Sequence, residues 1–159
     1  MLGLLDWLRG AQRIVIVGVG NPLRKDDNVG VEIVRGLVGR TPEPVLLIES
    51  ETVPEEFIGQ IVDFKPTHIL IIDAAILGLT PGSARFVERV ETSRIAVSTH
   101  TLPIQIFCEY LAKVTAAKVA WLLIQPKDTG FGEGLTRELD SERERIVNYL
   151  AKVLETVLK

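Results

Sequence analysis

Arg13-Ile14-Val15-Ile16-Val17-Gly18-Val19-Gly20-Asn21-Pro22-Leu23-Arg24-Lys25-Asp26-Asp27-Asn28-Val29-Gly30-Val31 is an apolar β-branched run, two glycines, and a loop that delivers two acids to a helical pattern. Ile14 to Val17 is too short and too β-branched for a helix and lacks polar alternation, which predicts a strand buried on both faces, as in parallel sheets. Gly18 and Gly20 permit backbone conformations closed to other residues, and Pro22 biases Asn21 away from helix, so the chain is expected to leave the strand as a shaped loop. Val31, Val34, Leu37 and Val38 then recur at helical spacing. The helix is predicted to start near Asp26, with Asp26 as its N-cap and Asp27 in the first turn, where the dipole favours a carboxylate kept as the anion.

A strand, a glycine loop and a helix opening on Asp also form ordinary α/β punctuation. On spacing alone, a structural and a functional reading of Asp26 and Asp27 both stay open. The dinucleotide fingerprint is incomplete, because Leu23 stands where the third glycine belongs. There is no Gly-Lys-Ser/Thr to cradle a triphosphate, and two acids would repel phosphate.

The 159 residues with 47% hydrophobic content suffice for one core, and no linker divides them, so a single domain over 1–159 is expected. Residues 1–12 read as an N-terminal extension whose Leu2, Leu4, Leu5 and Leu8 suit a short surface helix. A net charge of -3 without any basic run argues against nucleic-acid partners. No apolar run approaches the roughly 20 residues of a membrane span, and the N-terminus lacks a cleavage-site pattern. The single cysteine, Cys108, excludes an internal disulfide and suits a reducing compartment, which places the protein in the cytoplasm.

Farther along, 43–48 and 68–72 repeat the buried-strand pattern, closing on Glu49 and on Asp73. Thr52 to Glu55 reads as a capping box that opens a helix, with Pro54 in its first turn. The connection from Asp73 to 84–90 is too short for a crossover helix, so that strand is expected to be antiparallel and at an edge. Residues 104–111 carry helical spacing, 118–124 a fifth strand, and 139–158 a long closing helix. The predicted fold is an α/β three-layer sandwich: a five-stranded, mostly parallel sheet with one antiparallel edge strand and helices on both faces. Ligands of such sheets gather at the strands' carboxyl ends, where Asp27, Glu49 and Asp73 arrive.

Of the two histidines, His68 opens a strand at the opposite edge and reads as structural, whereas His100 lies on a loop that can face the acids. From the residues alone, His100 as a satisfied loop side chain and His100 as a ligand remain equal readings. Cys108 lies eight residues beyond it, roughly 12 Å along a helix, too far for a thiolate-imidazole pair, and falls on an apolar face. No Gly-x-Ser-x-Gly elbow occurs. Two carboxylates and an imidazole, Asp27, Asp73 and His100, would form an oxygen-rich set suited to nickel, zinc, manganese or ferrous iron with exchangeable positions left over.

Gly18-Val19-Gly20-Asn21 with Asp26-Asp27 and Gly30, Ile71-Ile72-Asp73-Ala74, Ser98-Thr99-His100-Thr101-Leu102-Pro103, and Ile124-Gln125-Pro126 with Gly130-Phe131 follow one another in an order that resembles the hydrogenase maturation endopeptidases of nickel-iron hydrogenases. The last two segments are most similar to the branch that processes large subunits of the formate-hydrogenlyase type. The resemblance implies a peptidase that removes a C-terminal extension from the large-subunit precursor after nickel insertion. The nickel is then carried by the precursor, and no tightly held ion is expected in the isolated enzyme. Catalytic and nickel-recognition roles fall on Asp27, Asp73 and His100, with Asp26, Glu49, Gly18, Gly20 and Asn21 as auxiliary positions. Glu49 stands where the family usually has Asp, and Asn28 where many relatives have Gly. The implied chemistry is water activated by nickel or a carboxylate, with metal or glycine-loop N–H groups stabilising the oxyanion. Two other classes compete: a nucleotide-binding α/β protein using Gly18, Gly20 and Glu49, and a non-enzymatic nickel carrier or chaperone using the same three ligands.

Overall fold

Ile14–Val19 forms strand β1, buried at every position because a helical layer covers each face of it. The structure, a computed structural model, describes residues 1–88, 96 and 97, and 101–159. Strand β2 (Val45–Glu51) runs parallel to β1 on one side, with Ile14 opposite Val45. Strand β3 (His68–Ile76) runs parallel to β1 on the other, with Ile14 opposite His68. Beyond it the sheet continues with β6 (Lys118–Ile124), parallel to β3, and ends on β4 (Ala84–Val87), antiparallel to β6. The order is β2-β1-β3-β6-β4, and a two-residue strand β5 (Ala96–Val97) pairs with Ala75 and Ile76 at the far end of β3. The expected five-stranded sheet, four strands parallel and one antiparallel at the edge, is thus present. Because the chain goes from β1 outward to β2 and returns to the other side of β1, the topology switches between β1 and β3. In open α/β sheets such a switch at the carboxyl ends is where ligands bind.

Alternation along the strands divides the core in two. Ile14, Ile16, Leu70, Ile72 and Leu122 pack against helices α2 (Val29–Leu37) and α5 (Arg137–Val157), through Ile33, Leu37, Ile146 and Leu150. Val15, Val17, Ile69, Ile71 and Leu123 pack against α3 (Ile58–Phe64) and α4 (Thr101–Thr115), through Ile61, Phe107 and Leu111. No helix among the described residues is long and apolar enough to cross a membrane.

The short helix expected near the N-terminus is present, with an inner face that reaches the core and an outer face in solvent. Helix α1 (Leu4–Trp7) buries Leu4 and Trp7, and Leu8 after it, in the core, with Leu2 and Leu5 left exposed. Several local expectations are corrected. Strand β2 continues through Glu49 to Glu51, and β3 through Asp73 to Ile76, so both acids lie within strands. The capping box is not made: Pro54–Phe57 is a 3-10 turn with Val53 at its N-cap and no side-chain cap. Nor does Asp26 cap α2, which starts at Val29 after a 3-10 turn over Lys25–Asn28.

Candidate active site

Three glycines decide how closely the loop after β1 approaches the sheet. A Cβ on Gly30 would lie 2.1 Å from the Ile72 carbonyl oxygen and 2.6 Å from that of Val19. On Gly18 it would lie 2.4 Å from the Gly30 carbonyl oxygen, and on Gly20 2.4 Å from that of Asp27. None of the three needs a left-handed backbone. What they supply is the absence of a side chain, not the permissive conformation expected of Gly18 and Gly20. The first turn of α2 is therefore set directly on the ends of β1 and β3, at the topological switch.

Asp27 rides on that turn, 3% exposed, and its Oδ2 accepts the Asn21 N–H at 3.1 Å. Asn21 is held in turn by its own Oδ1, which accepts the Leu23 N–H at 2.9 Å. Asp73 is 1% exposed and stands one residue beyond the last β1–β3 pair, Gly18 with Ile72, while still paired to Leu123 of β6. Its Oδ1 accepts the Ala74 N–H at 2.8 Å, and its buried Oδ2 has no hydrogen-bond partner among the described residues. Burial, and then the negative charge of Asp27, push the Asp73 carboxyl well above the usual range, against a small opposing effect of the Ala74 N–H. Two acids distant in sequence thus sense one another at the sheet's carboxyl edge. Both influences favour the neutral form of Asp73, a carboxyl whose affinity for its proton a nearby cation would reverse.

The other expected residues separate from this pair. Asp26, adjacent in sequence, is fully buried and turned the other way. Its Oδ2 accepts the N–H groups of Lys127 and Asp128, both at 3.0 Å, and its Oδ1 accepts that of Thr136 at 2.8 Å, with the Thr136 hydroxyl shared between the two oxygens. Glu49 is exposed and accepts Arg35 Nε at 2.8 Å on the outer side of α2, so it does not join the acids. His100 lies outside the described residues. His68 is structural, as expected: its Nε2 donates to the Trp7 carbonyl at 3.1 Å and its ring meets that of Trp7 edge-on. Cys108 is buried among apolar side chains, and burial pushes its thiol up to about 12, which leaves no thiolate for nucleophilic work. Among the described residues, no group of three or more His, Cys, Asp or Glu side chains could hold a metal ion.

Asn28 and Gln125, named in the sequence only as a departure from the family and as part of a motif, are given structural partners here. Asn28 is buried with Oδ1 unpartnered among the described residues, its Nδ2 directed to Glu32. Gln125 fastens the loop after β3, its Oε1 accepting the N–H groups of Leu77 at 2.6 Å and Leu79 at 3.3 Å.

The model of the hydrogenase maturation protease family matches residues 31–153, which include Asp73 and Gln125. The chain belongs to this family. It is 36% identical over 160 residues to a hydrogenase maturation protease of Methanocaldococcus jannaschii, covering 96% of this chain and 94% of the relative. To the hydrogenase 3 maturation protease of Escherichia coli K12 it is 28% identical over 137 residues, covering 86% and 87%. The crystal structure of the NiFe hydrogenase maturation protease HycI from Thermococcus kodakarensis KOD1 superposes with a TM-score of 0.87 at 33% identity, over 96% of this chain and 98% of that one. A hydrogenase maturation protease is a hydrolase, a peptidase, and the nucleotide-binding and carrier readings give way to that. In this protease the topological switch that carries Asp27 and Asp73 is the candidate active site.

Proposed function

We propose that this peptidase removes the C-terminal extension of a nickel-iron hydrogenase large-subunit precursor after nickel insertion, and that it reads the precursor's nickel as part of its substrate. The observation that carries the reading is Asp73 Oδ2: a buried carboxyl oxygen without a hydrogen-bond partner among the described residues, beside a second buried acid. Such an oxygen costs stability when nothing meets it, and a cation is the partner that a pair of carboxylates selects. Two carboxylates are too few to retain a divalent ion, so the remaining ligands come with the substrate, and His100 is assigned as a third contact from the enzyme. In this reading nickel-bearing precursor docks, the cation displaces the Asp73 proton to water, and Asp27, steadied by the Asn21 N–H, holds the other side. Water attacks the scissile carbonyl, a carboxylate takes its proton, and the leaving amine receives one. Backbone N–H groups of the glycine loop support the oxyanion. Cleavage in the cytoplasm then becomes a check that the metal has been inserted.

Incubating the protein with nickel-loaded and nickel-free precursor, and weighing the large subunit by mass spectrometry, tests this. The loaded precursor alone should be shortened, and Asp27→Asn should leave it whole. Equal cleavage of both precursors would overturn the role of nickel.

A further inference from the structure

Ile106, Tyr110 and Val114 of α4 are 60%, 49% and 45% exposed. They recur at every fourth position of one helix, where side chains are neighbours and successive ones drift by only about 40° of arc, so the three line up as a stripe. This stripe is separate from the helix's buried face, which Ile104, Phe107, Cys108 and Leu111 supply. Helix α5, on the other side of the sheet, shows what a solvent face carries in this protein: its exposed residues are all polar or charged, Glu144, Arg145, Asn148 and Lys152 among them. Apolar side chains exposed singly are ordinary, whereas contiguous ones mark an interaction surface.

Helix α4 also leads to the candidate active site. It ends at Thr115, shortly before Lys118, which pairs with His68 at the amino edge of the sheet. Its 15 residues rise about 22 Å back along the sheet, so its first turn stands at the carboxyl edge that carries Asp73. Building on the peptidase reading, we infer that Ile106, Tyr110 and Val114 form a docking surface for the folded body of the precursor whose tail is cut at the acids. Extent selects this occupant over a second copy of the chain. The stripe offers on the order of 300 Å² of apolar surface, whereas a stable association of two free proteins buries about 800 Å² on each. A protein already held at Asp27 and Asp73 needs only an extension of that contact, and the stripe lies along the flank that such a body overhangs. Glu109 and Lys113 border the stripe, both exposed and neither in an ion pair among the described residues, as in the polar rim around an apolar contact.

The test is the steady-state processing of nickel-loaded precursor by the wild type, the triple variant Ile106→Ala/Tyr110→Ala/Val114→Ala, the rim variant Glu109→Ala/Lys113→Ala, and Tyr110→Phe. The triple variant should raise KM by about tenfold or more with kcat within about twofold. The rim variant should raise KM by less than about threefold, and Tyr110→Phe, which keeps the ring, should stay within about twofold of the wild type. Alanine is a good helix former and the truncated side chains face solvent, so melting temperatures should stay within about 2 °C. An unchanged KM in the triple variant, or a fall in kcat alone, overturns the docking surface and leaves the peptidase reading standing. A wild-type protein that leaves the loaded precursor whole overturns that reading and the docking surface with it. Sedimentation of the wild type as a dimer that the triple variant dissociates would assign the stripe to a second copy of the chain, also against the inference.

Discussion

Asp26 and Asp27 are identical side chains one residue apart with opposite duties, and the difference lies in what each meets. Asp26 meets only donors, all from residues more than 100 positions away, so nothing local in the sequence marks it as anything but a helix cap. Replacing it by Asn would turn an N–H group toward those N–H groups. Asp26→Asn should cost about 3 kcal/mol in urea denaturation, with Thr136→Val, which loses only the hydroxyl, costing about 1 kcal/mol. A reversed ranking would contradict the clamp. Asp73 behaves in the other sense, since its side chain is unfavourable to the fold. Asp73→Asn should abolish processing and yet leave the protein as stable or more so at pH 7, by on the order of 1 kcal/mol, about 2–4 °C at this chain length. Loss of stability together with activity would make Asp73 a structural residue.

Glycine placement is what joins element to element at the site. Gly30→Ala forces a methyl group onto backbone oxygens of β1 and β3 that cannot rotate aside, and should cost about 3 kcal/mol or more by thermal or urea unfolding. Gly59 in α3 is the control: nothing lies within 4 Å of a Cβ there, so Gly59→Ala should stabilise by about 0.5–1 kcal/mol. The sequence shows both glycines alike; only the packing separates them. Elements were legible in proportion to their burial. Strands β1, β3 and β6 announce themselves because both faces are apolar, and β4 was readable as antiparallel from its short connection. The tail of β2 was hidden because Glu49 and Glu51 face solvent while Ser50 turns inward to the Gly18 carbonyl, a polar alternation that reads as a loop. Helix α1 is legible as a short helix, but four residues are too few to show that Trp7 joins its buried face. Of the candidate site, the placement of Asp27 and Asp73 at the sheet's carboxyl edge is legible in the sequence, the pairing of Glu49 with Arg35 is not, and His100 lies outside the described residues.

Across the whole molecule, one strand carries two buried titratable groups at opposite edges of the sheet, and they oppose each other in pH. His68 opens β3 and Asp73 is its sixth residue, roughly 16 Å apart along an extended chain, far enough for their effects to add. Burial, and then Lys118, lower His68 from its usual 6.5, against a smaller pull from the Trp7 carbonyl that accepts from it. Between that lowered value and 6.5 the unfolded chain holds more protons, so this group makes stability rise with pH and fall on acidification. Asp73 has its folded value raised above 3.8, so from 3.8 upward the folded protein holds the extra proton and stability falls as pH rises. Asp128 and Glu138 are held below 3.8 and 4.5 by hydrogen bonds to Lys25 and Lys127, and leave the window above pH 5 clear. Urea unfolding from pH 5 to 8 should therefore give a shallow profile for the wild type. His68→Gln should leave a profile that declines with pH, Asp73→Asn one that climbs toward 6.5, and the gap between Asp73→Asn and the wild type should widen as pH rises. Parallel profiles for all three proteins would mean that neither group changes its proton affinity on folding, and the proposed meeting of Asp73 with the substrate's cation would lose its support.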